Sequence, residues 1–299
     1  MSTSQNRALS EPLAGSQAPL IIAHRGASGL APENTLAAFR LAIEQGADGL
    51  EFDVQLTADG YPVVIHDKRI GRTTNGTGSV TSLTLDQINR LDAGAWFDRR
   101  LRMRPRVRKL VDGAAQGRTR TRFSGEPVPT LESVLATIAG PNRPLLYIEL
   151  KANPARREEF LEAVLSIVRS FRIERSVTLL SFDHEIIALA KQRAPEIRTA
   201  VTFPTGRGRL VSANSLIRET ARAGADEAAL HVGLVTRRTV ETLHNHGLSV
   251  SSWTANSKLL LRHIVACKVD SIMTNFPNRL VGLLGPKQDA SWPRRQEPR

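Results

Sequence analysis

A single cysteine, Cys267, in 299 residues excludes a disulfide scaffold, so a folded core has to rest on apolar burial. Aromatic residues make up only 5% of the chain, which leaves little material for a surface that stacks nucleic-acid bases. No stretch approaches the roughly 20 apolar residues that cross a bilayer. The first 18 residues are polar and lack the continuous apolar segment of a secretory signal. Acidic residues are also short, 29 against 41 Lys and Arg, for a net charge of +12. These absences lead to the expectation of a cytoplasmic protein with flexible tails at 1 to 18 and 285 to 299.

What remains is enough for one large domain, 19 to 284, since the chain is 41% hydrophobic. Short apolar runs predict strands at 20 to 23, 49 to 53, 144 to 149, 177 to 181, 198 to 202, 227 to 230, 248 to 252 and 270 to 273. Helical periodicity fills most intervals, at 35 to 46, 130 to 139, 156 to 171, 183 to 193, 209 to 223, 236 to 246 and 257 to 266, with Gly46, Gly224 and Gly247 placed as helix stops. Alternation of this kind favours parallel βα units over a sandwich or a bundle. Cys267, on an apolar helix face, reads as core rather than nucleophile.

The chemistry concentrates in three short segments. Side chains alternate along a strand, so Glu51 and Asp53 in GLEFDV share a face, as do Glu149 and Lys151 in IELK. Carboxylates crowded at one strand end repel unless a cation or a proton intervenes, and an all-oxygen ligand set suits Mg²⁺ or Ca²⁺ better than zinc. The bland alternative is exposed acids on edge strands. His24 follows the apolar run PLIIA and His66 follows PVVI, so both are placed where a buried strand ends, the position that supplies active-site residues in parallel barrels. Either alone reads as a satisfied core histidine; a pair, each beside a charged residue, suits acid and base duty. Arg25 offers a planar fork for a phosphate.

The run HRGASGLAPENTLAAFRLAIEQGADGLEFDVQLTADGYPVVIHD resembles the glycerophosphodiester phosphodiesterase family. Further matches are RTTNGTG (72 to 78), DAGAWF (92 to 97), VPTLESVL (128 to 135), IELK (148 to 151), LSFD (180 to 183), SWTAN (252 to 256) and DSIMTNFP (270 to 277). The resemblance covers roughly residues 20 to 284. It implies a (β/α)₈ barrel, one divalent cation, and cleavage of glycerophosphodiesters to glycerol 3-phosphate and an alcohol. Carried over residue by residue, it makes His24 and His66 the acid/base pair, Glu51, Asp53 and Glu149 the metal ligands, and Arg25 and Lys151 the phosphate contacts. Lys151 has an alternative as a salt bridge in the barrel interior. Trp253 and Phe182 fall where the family lines its substrate pocket, although Trp253 also fits an ordinary core aromatic. Glu33 and Asn34 are candidates for supporting those residues, with Asn34 read alternatively as the cap of a helix beginning at Thr35. Asn275 stands where an acid is also common in the family, which puts a substrate contact for it in doubt. A lysophospholipase D-like activity on lysolipids is the alternative enzyme reading.

The basic insertion, about 99 to 124 and following the second barrel strand, departs from a plain family member. Residues 99 to 122 carry ten Arg and Lys against Asp112 alone, or +9. Three readings compete: a solvated, disordered loop, an electrostatic guide to anionic substrate or lipid headgroups, and nucleic-acid binding. The run has no aromatic residue before Phe123, which weighs against the third. A non-catalytic barrel that binds anionic lipid or nucleic acid through this run is the alternative of another class.

Overall fold

The computed structural model describes residues 18 to 103, 122 to 138, 143 to 205 and 211 to 285. Eight parallel strands close on themselves: β1 (Leu20–His24), β2 (Gly49–Leu56), β4 (Leu145–Leu150), β5 (Val177–Ser181), β6 (Arg198–Phe203), β7 (Glu227–His231), β8 (Ser249–Trp253) and β9 (Ser271–Thr274). Closure comes from β1, which pairs with β9 on one side and β2 on the other. Around the barrel run α1 (Leu36–Glu44), α4 (Leu131–Ile138), α5 (Arg157–Ser170), α6 (His184–Arg193), α7 (Ala213–Arg222), α8 (Arg237–His244), α9 (Lys258–Ala266) and α10 (Pro277–Leu284). This is the expected (β/α)₈ barrel.

Strand alternation decides what enters the barrel. All eight residues of β2 are buried. Leu50, Phe52 and Val54 join the apolar layer between strands and helices, while Glu51 and Asp53 alternate with them and turn to the barrel mouth. Inside the barrel a smaller cluster of Ile22, Tyr147, Leu180, Ala200, Ala229 and Met273 forms a packed floor beneath the site. Cys267 caps α9 and is 4% exposed, with burial pushing its thiol pKa up, as expected for a core residue.

Several elements depart from the expectation. A short strand, β3 (Pro62–Val64), pairs antiparallel with the far end of β2, so His66 follows a hairpin strand outside the eight-stranded barrel. The apolar run PVVI resembles a buried barrel strand because Val63, Val64 and Ile65 are buried, but by the β2 hairpin and a local cluster that includes Ile70 and Ile88. Two further helices, α2 (Leu85–Asn89) and α3 (Ala95–Met103), were not foreseen, nor was α10. Thr35, rather than Asn34, caps α1, its side chain accepting from the Ala38 N–H.

The basic insertion is corrected at its two ends. Arg99, Arg100 and Arg102 lie on α3, so the first five residues of the run are helical rather than loop. At the other end Phe123 is 6% exposed, and the Phe123 and Ser124 N–H groups and the Ser124 hydroxyl donate to Asp98 of α3 at 2.7 to 3.0 Å. Residues 104 to 121 lie outside the described residues, as do the tails at 1 to 17 and 286 to 299. No helix among the described residues is long and apolar enough to cross a membrane.

Candidate active site

The nine residues singled out in the sequence gather at one end of the barrel, most of them at the carboxyl-terminal ends of strands or in the connections that follow. Glu51 and Asp53 lie inside the longer β2 but level with His24 at the end of β1 and Glu149 near the end of β4. His24 ends β1, and Arg25 and Gly26 turn the chain away with φ of 56° and 75°. A Cβ on Gly26 would lie 2.7 Å from the Ala38 carbonyl carbon, so only glycine fits there. This turn sends the Arg25 N–H to Glu51 Oε2 at 2.9 Å and its guanidinium Nε to Asp53 Oδ2 at 3.0 Å. The strained φ at Arg25 is therefore held by two anchors on the neighbouring strand.

Register brings the carboxylates together. His24 pairs with Glu51 across β1 and β2, and Asp53 pairs with Glu149 across β2 and β4. Glu51, Asp53 and Glu149 each place an oxygen within 4.8 Å of the others, and all three are buried. Lys151 pairs with Asp53 Oδ1 at 3.1 Å and with Glu149 Oε1. Three carboxylates against Arg25 and Lys151 leave one negative charge uncompensated in a buried site.

That imbalance shows in the acidities. Burial opposes ionisation of Asp53, but Arg25 and Lys151 outweigh it and hold its carboxyl below the usual range. Burial followed by the charge of Asp53 pushes Glu149 up to about 7, and burial with Asp53 and Glu149 raises Glu51 well above the ordinary value. Without a further positive charge the site retains a proton. Glu51 Oε1 is buried with no hydrogen-bond partner, so the triad fits a divalent cation by charge, by its oxygen donors and by an unsatisfied acceptor.

The two histidines are partnered differently. His24 Nδ1 faces Asn275 Oδ1 at 2.8 Å, so the ring proton sits on Nδ1 and Nε2 is free, 3.9 Å from Glu51 Oε2. Burial, reinforced by Arg25, lowers the His24 pKa to about 4, which keeps the ring neutral. His66 Nδ1 instead donates to a carboxylate, Asp67 Oδ1, at 2.6 Å. Gln55 Nε2 lies 2.9 to 3.0 Å from the carbonyls of Ile65, His66 and Asp67 and fixes that segment to β2. Burial lowers the His66 pKa too, opposed by the charge of Asp53.

Phe182, directly after β5, and Trp253, ending β8, pack edge to face with centroids 5.4 Å apart. Trp253 also meets His231 at 5.1 Å, and its indole N–H donates to Ala229 O at 3.0 Å. Lys151 Nζ lies 5.4 Å from the Phe182 centroid, within cation–π range. Phe182 is 41% exposed, so this pair forms an apolar wall open to solvent.

Glu33 and Asn34 prove to be part of the same arrangement. Asn34 donates to Asp53 Oδ2 at 2.8 Å, and Glu33 accepts from Arg25 at 2.9 Å. Sequence reasoning missed Asn275 as the partner of His24, Gln55, His231 and Arg72. The motif RTTNGTG carried a signal for Arg72, but a motif does not say which side chain turns inward.

Residues 24 to 279 match the glycerophosphoryl diester phosphodiesterase family. The chain is 34% identical over 268 residues to the glycerophosphodiester phosphodiesterase of Caldanaerobacter subterraneus subsp. tengcongensis, spanning 89% of this chain and 97% of that one. Among solved structures, the glycerophosphodiester phosphodiesterase of Agrobacterium tumefaciens superposes with a TM-score of 0.69 at 31% identity, covering 88% of this chain and 98% of the other. A phosphodiesterase of Oleispira antarctica, solved with the product sn-glycerol-3-phosphate, gives 0.73 at 26% identity over 88% of this chain and 95% of that one. With its barrel closed, its acidic triad assembled and a family match that runs nearly from β1 to the last helix, this chain belongs to the glycerophosphoryl diester phosphodiesterase family.

Proposed function

We propose that the protein hydrolyses glycerophosphodiesters to glycerol 3-phosphate and an alcohol, using His24 as general base and His66 as general acid. The observation that carries the assignment is the unequal partnering of the two rings. A neutral amide on His24 Nδ1 favours an imidazolium only weakly, too little to offset burial and Arg25, whereas the Asp67 carboxylate on His66 Nδ1 stabilises one by its charge. His24 Nε2 takes the proton from the attacking oxygen as the new P–O bond forms. His66 delivers its Nε2 proton to the alcohol oxygen as the old P–O bond breaks. The attacking oxygen is that of water or, by way of a cyclic phosphate, the glycerol 2-hydroxyl; both need the same base.

Glu51, Asp53 and Glu149 hold one divalent cation, Mg²⁺ or Ca²⁺, in this reading. When bound, such an ion supplies positive charge to a nonbridging phosphoryl oxygen. Arg25 and Lys151 add two fixed cations beside it, both anchored on Asp53, and their side chains are 17% and 19% exposed, which limits screening by water. Phe182 and Trp253 shape the wall beside the phosphate. The exposed Phe182 face favours a second substrate class, lysophospholipids, whose apolar chain such a wall accepts. Arg99, Arg100 and Arg102 on α3 lend support to contact with anionic lipid.

The test is release of glycerol 3-phosphate from glycerophosphocholine and glycerophosphoethanolamine with Mg²⁺, Ca²⁺ or excess chelator, alongside lysophosphatidylcholine. Metal-dependent release is expected, and His24→Gln and His66→Gln each lower turnover by roughly 10² to 10⁴. Turnover close to that of the unaltered protein in either variant overturns the assignment.

A further inference from the structure

A continuous ion-pair chain runs from the metal-binding triad to the second histidine, and its central member has no place in the chemistry above. Asp53 pairs with Arg25, Arg25 with Glu33, Glu33 with Arg72, Arg72 with Asp67, and Asp67 with His66. Arg72 grips both carboxylates at both oxygens. Its Nε and Nη2 reach Asp67 Oδ2 and Oδ1 at 2.5 and 3.2 Å, and its Nη1 and Nη2 reach Glu33 Oε2 and Oε1 at 2.9 and 2.7 Å.

We infer that Arg72 is a positioning residue that fixes the proton donor His66 relative to the phosphate-binding Arg25. The two halves of the site come from different parts of the chain. Arg25 and Glu33 belong to the turn after β1, whereas His66 and Asp67 follow the β3 hairpin, outside the barrel's own hydrogen-bond ladder. The guanidinium of Arg72 spans that junction with a rigid planar fork, a geometry lysine cannot reproduce. Its backbone is itself anchored: Arg72 ends a 3-10 turn begun by Ile70, which is 1% exposed, and the Thr74 hydroxyl donates to Ile70 O at 2.8 Å.

An isolated surface ion pair contributes little, and the Arg72 side chain is 44% exposed. This pair differs because both of its carboxylates are committed elsewhere, Glu33 to Arg25 and Asp67 to His66. Freed from Arg72, Asp67 keeps one contact with His66 and can rotate about its own side-chain bonds. The imidazole then loses a fixed direction toward the departing oxygen, while the fork of Arg25 keeps its anchor on Asp53. The damage falls on protonation of the leaving group, not on binding of the phosphate.

This inference rests on the proposed phosphodiesterase activity, so the unaltered protein is assayed first on both substrates used: glycerophosphocholine, whose alcohol leaves poorly without a proton, and sn-glycerol 3-(4-nitrophenyl) phosphate, whose phenolate leaves without one. No turnover of either sinks the activity itself. Given turnover, Arg72→Met lowers kcat for glycerophosphocholine roughly 10- to 100-fold with KM changed by about twofold or less, and leaves the nitrophenyl ester within about threefold. Arg72→Lys recovers less than half of the lost activation. Equal losses on both substrates, or a rise in KM shared by both, overturn the inference in favour of a structural or substrate-contacting role. Unchanged turnover of both overturns it as well. Arg72→Gln, which keeps a polar side chain at the position without the fork, provides a second reading should Arg72→Met fail to fold: it shows the same selective loss, and an even loss counts against the inference.

Discussion

The cation site makes a quantitative prediction about protons. The ion-free triad holds Glu149 at a pKa of about 7 and Glu51 well above its ordinary value, so near neutrality and below it a cation has to displace a proton from at least one carboxyl before all three oxygens can bind. Affinity for Mg²⁺ or Ca²⁺ is then expected to rise about tenfold per pH unit for each proton displaced, and to flatten for the Glu149 proton above pH 7. From pH 5 to pH 7 that proton alone amounts to about 50-fold, or ~2.3 kcal/mol at 1.36 kcal/mol per unit, since the group is half ionised at pH 7. Glu51 steepens the slope towards two protons. His24, with a pKa of about 4, stays neutral across this window and does not mask it. Calorimetric titration at several pH values, in buffers of different ionisation enthalpy, counts the released protons directly. Affinity independent of pH between 5 and 7, with no proton released, refutes the reasoning, because it means the three carboxylates are already ionised together. Glu149→Gln is expected to weaken binding and to remove one proton from the slope.

Three other substitutions probe separate parts of the site. Asn275→Asp puts a carboxylate on His24 Nδ1 and raises the pKa of the base, so the acidic limb of the kcat/KM profile moves to higher pH by about one unit or more; an unmoved limb argues against His24 as base. Gly26→Ala forces a Cβ onto the Ala38 backbone at a φ of 75°, and is expected to cost at least ~1 kcal/mol in urea denaturation and to disturb Arg25 beside it. Asp98→Ala leaves the Phe123 and Ser124 N–H groups without their acceptor and lowers stability by roughly 1 to 3 kcal/mol, with turnover per folded molecule retained since Asp98 is remote in contact from the triad; loss of turnover in a fully folded variant would contradict that separation.

The eight barrel strands were legible because each is a short apolar run, and their predicted bounds differ from the observed ones by at most one residue, except that β2 runs three residues further, to Leu56, where it pairs with the β3 hairpin. The β3 hairpin was not, because PVVI carries the same apolar signal whether it is buried by barrel neighbours or by a hairpin partner. The triad was readable from alternation within β2 and from the repeated pattern in β4. The partners of the histidines were not: Asn275 lies 251 positions from His24, and Glu33 lies 39 from Arg72, so nothing local links them.

The sequence by itself determined the barrel rhythm, the carboxylates on one face of β2 and the residues at the strand ends, since strand period and apolar spacing are properties of neighbouring residues. The proposed acid and base roles rest on partners that only the closed structure supplies. Barrel closure brings β9 beside β1 and sets an amide against His24, while the β3 hairpin gives His66 a carboxylate from its own next residue and, through Arg72, a link back to the turn after β1. Proton affinity depends on burial and on the charges within a few ångströms, and those distances exist only once the chain has closed.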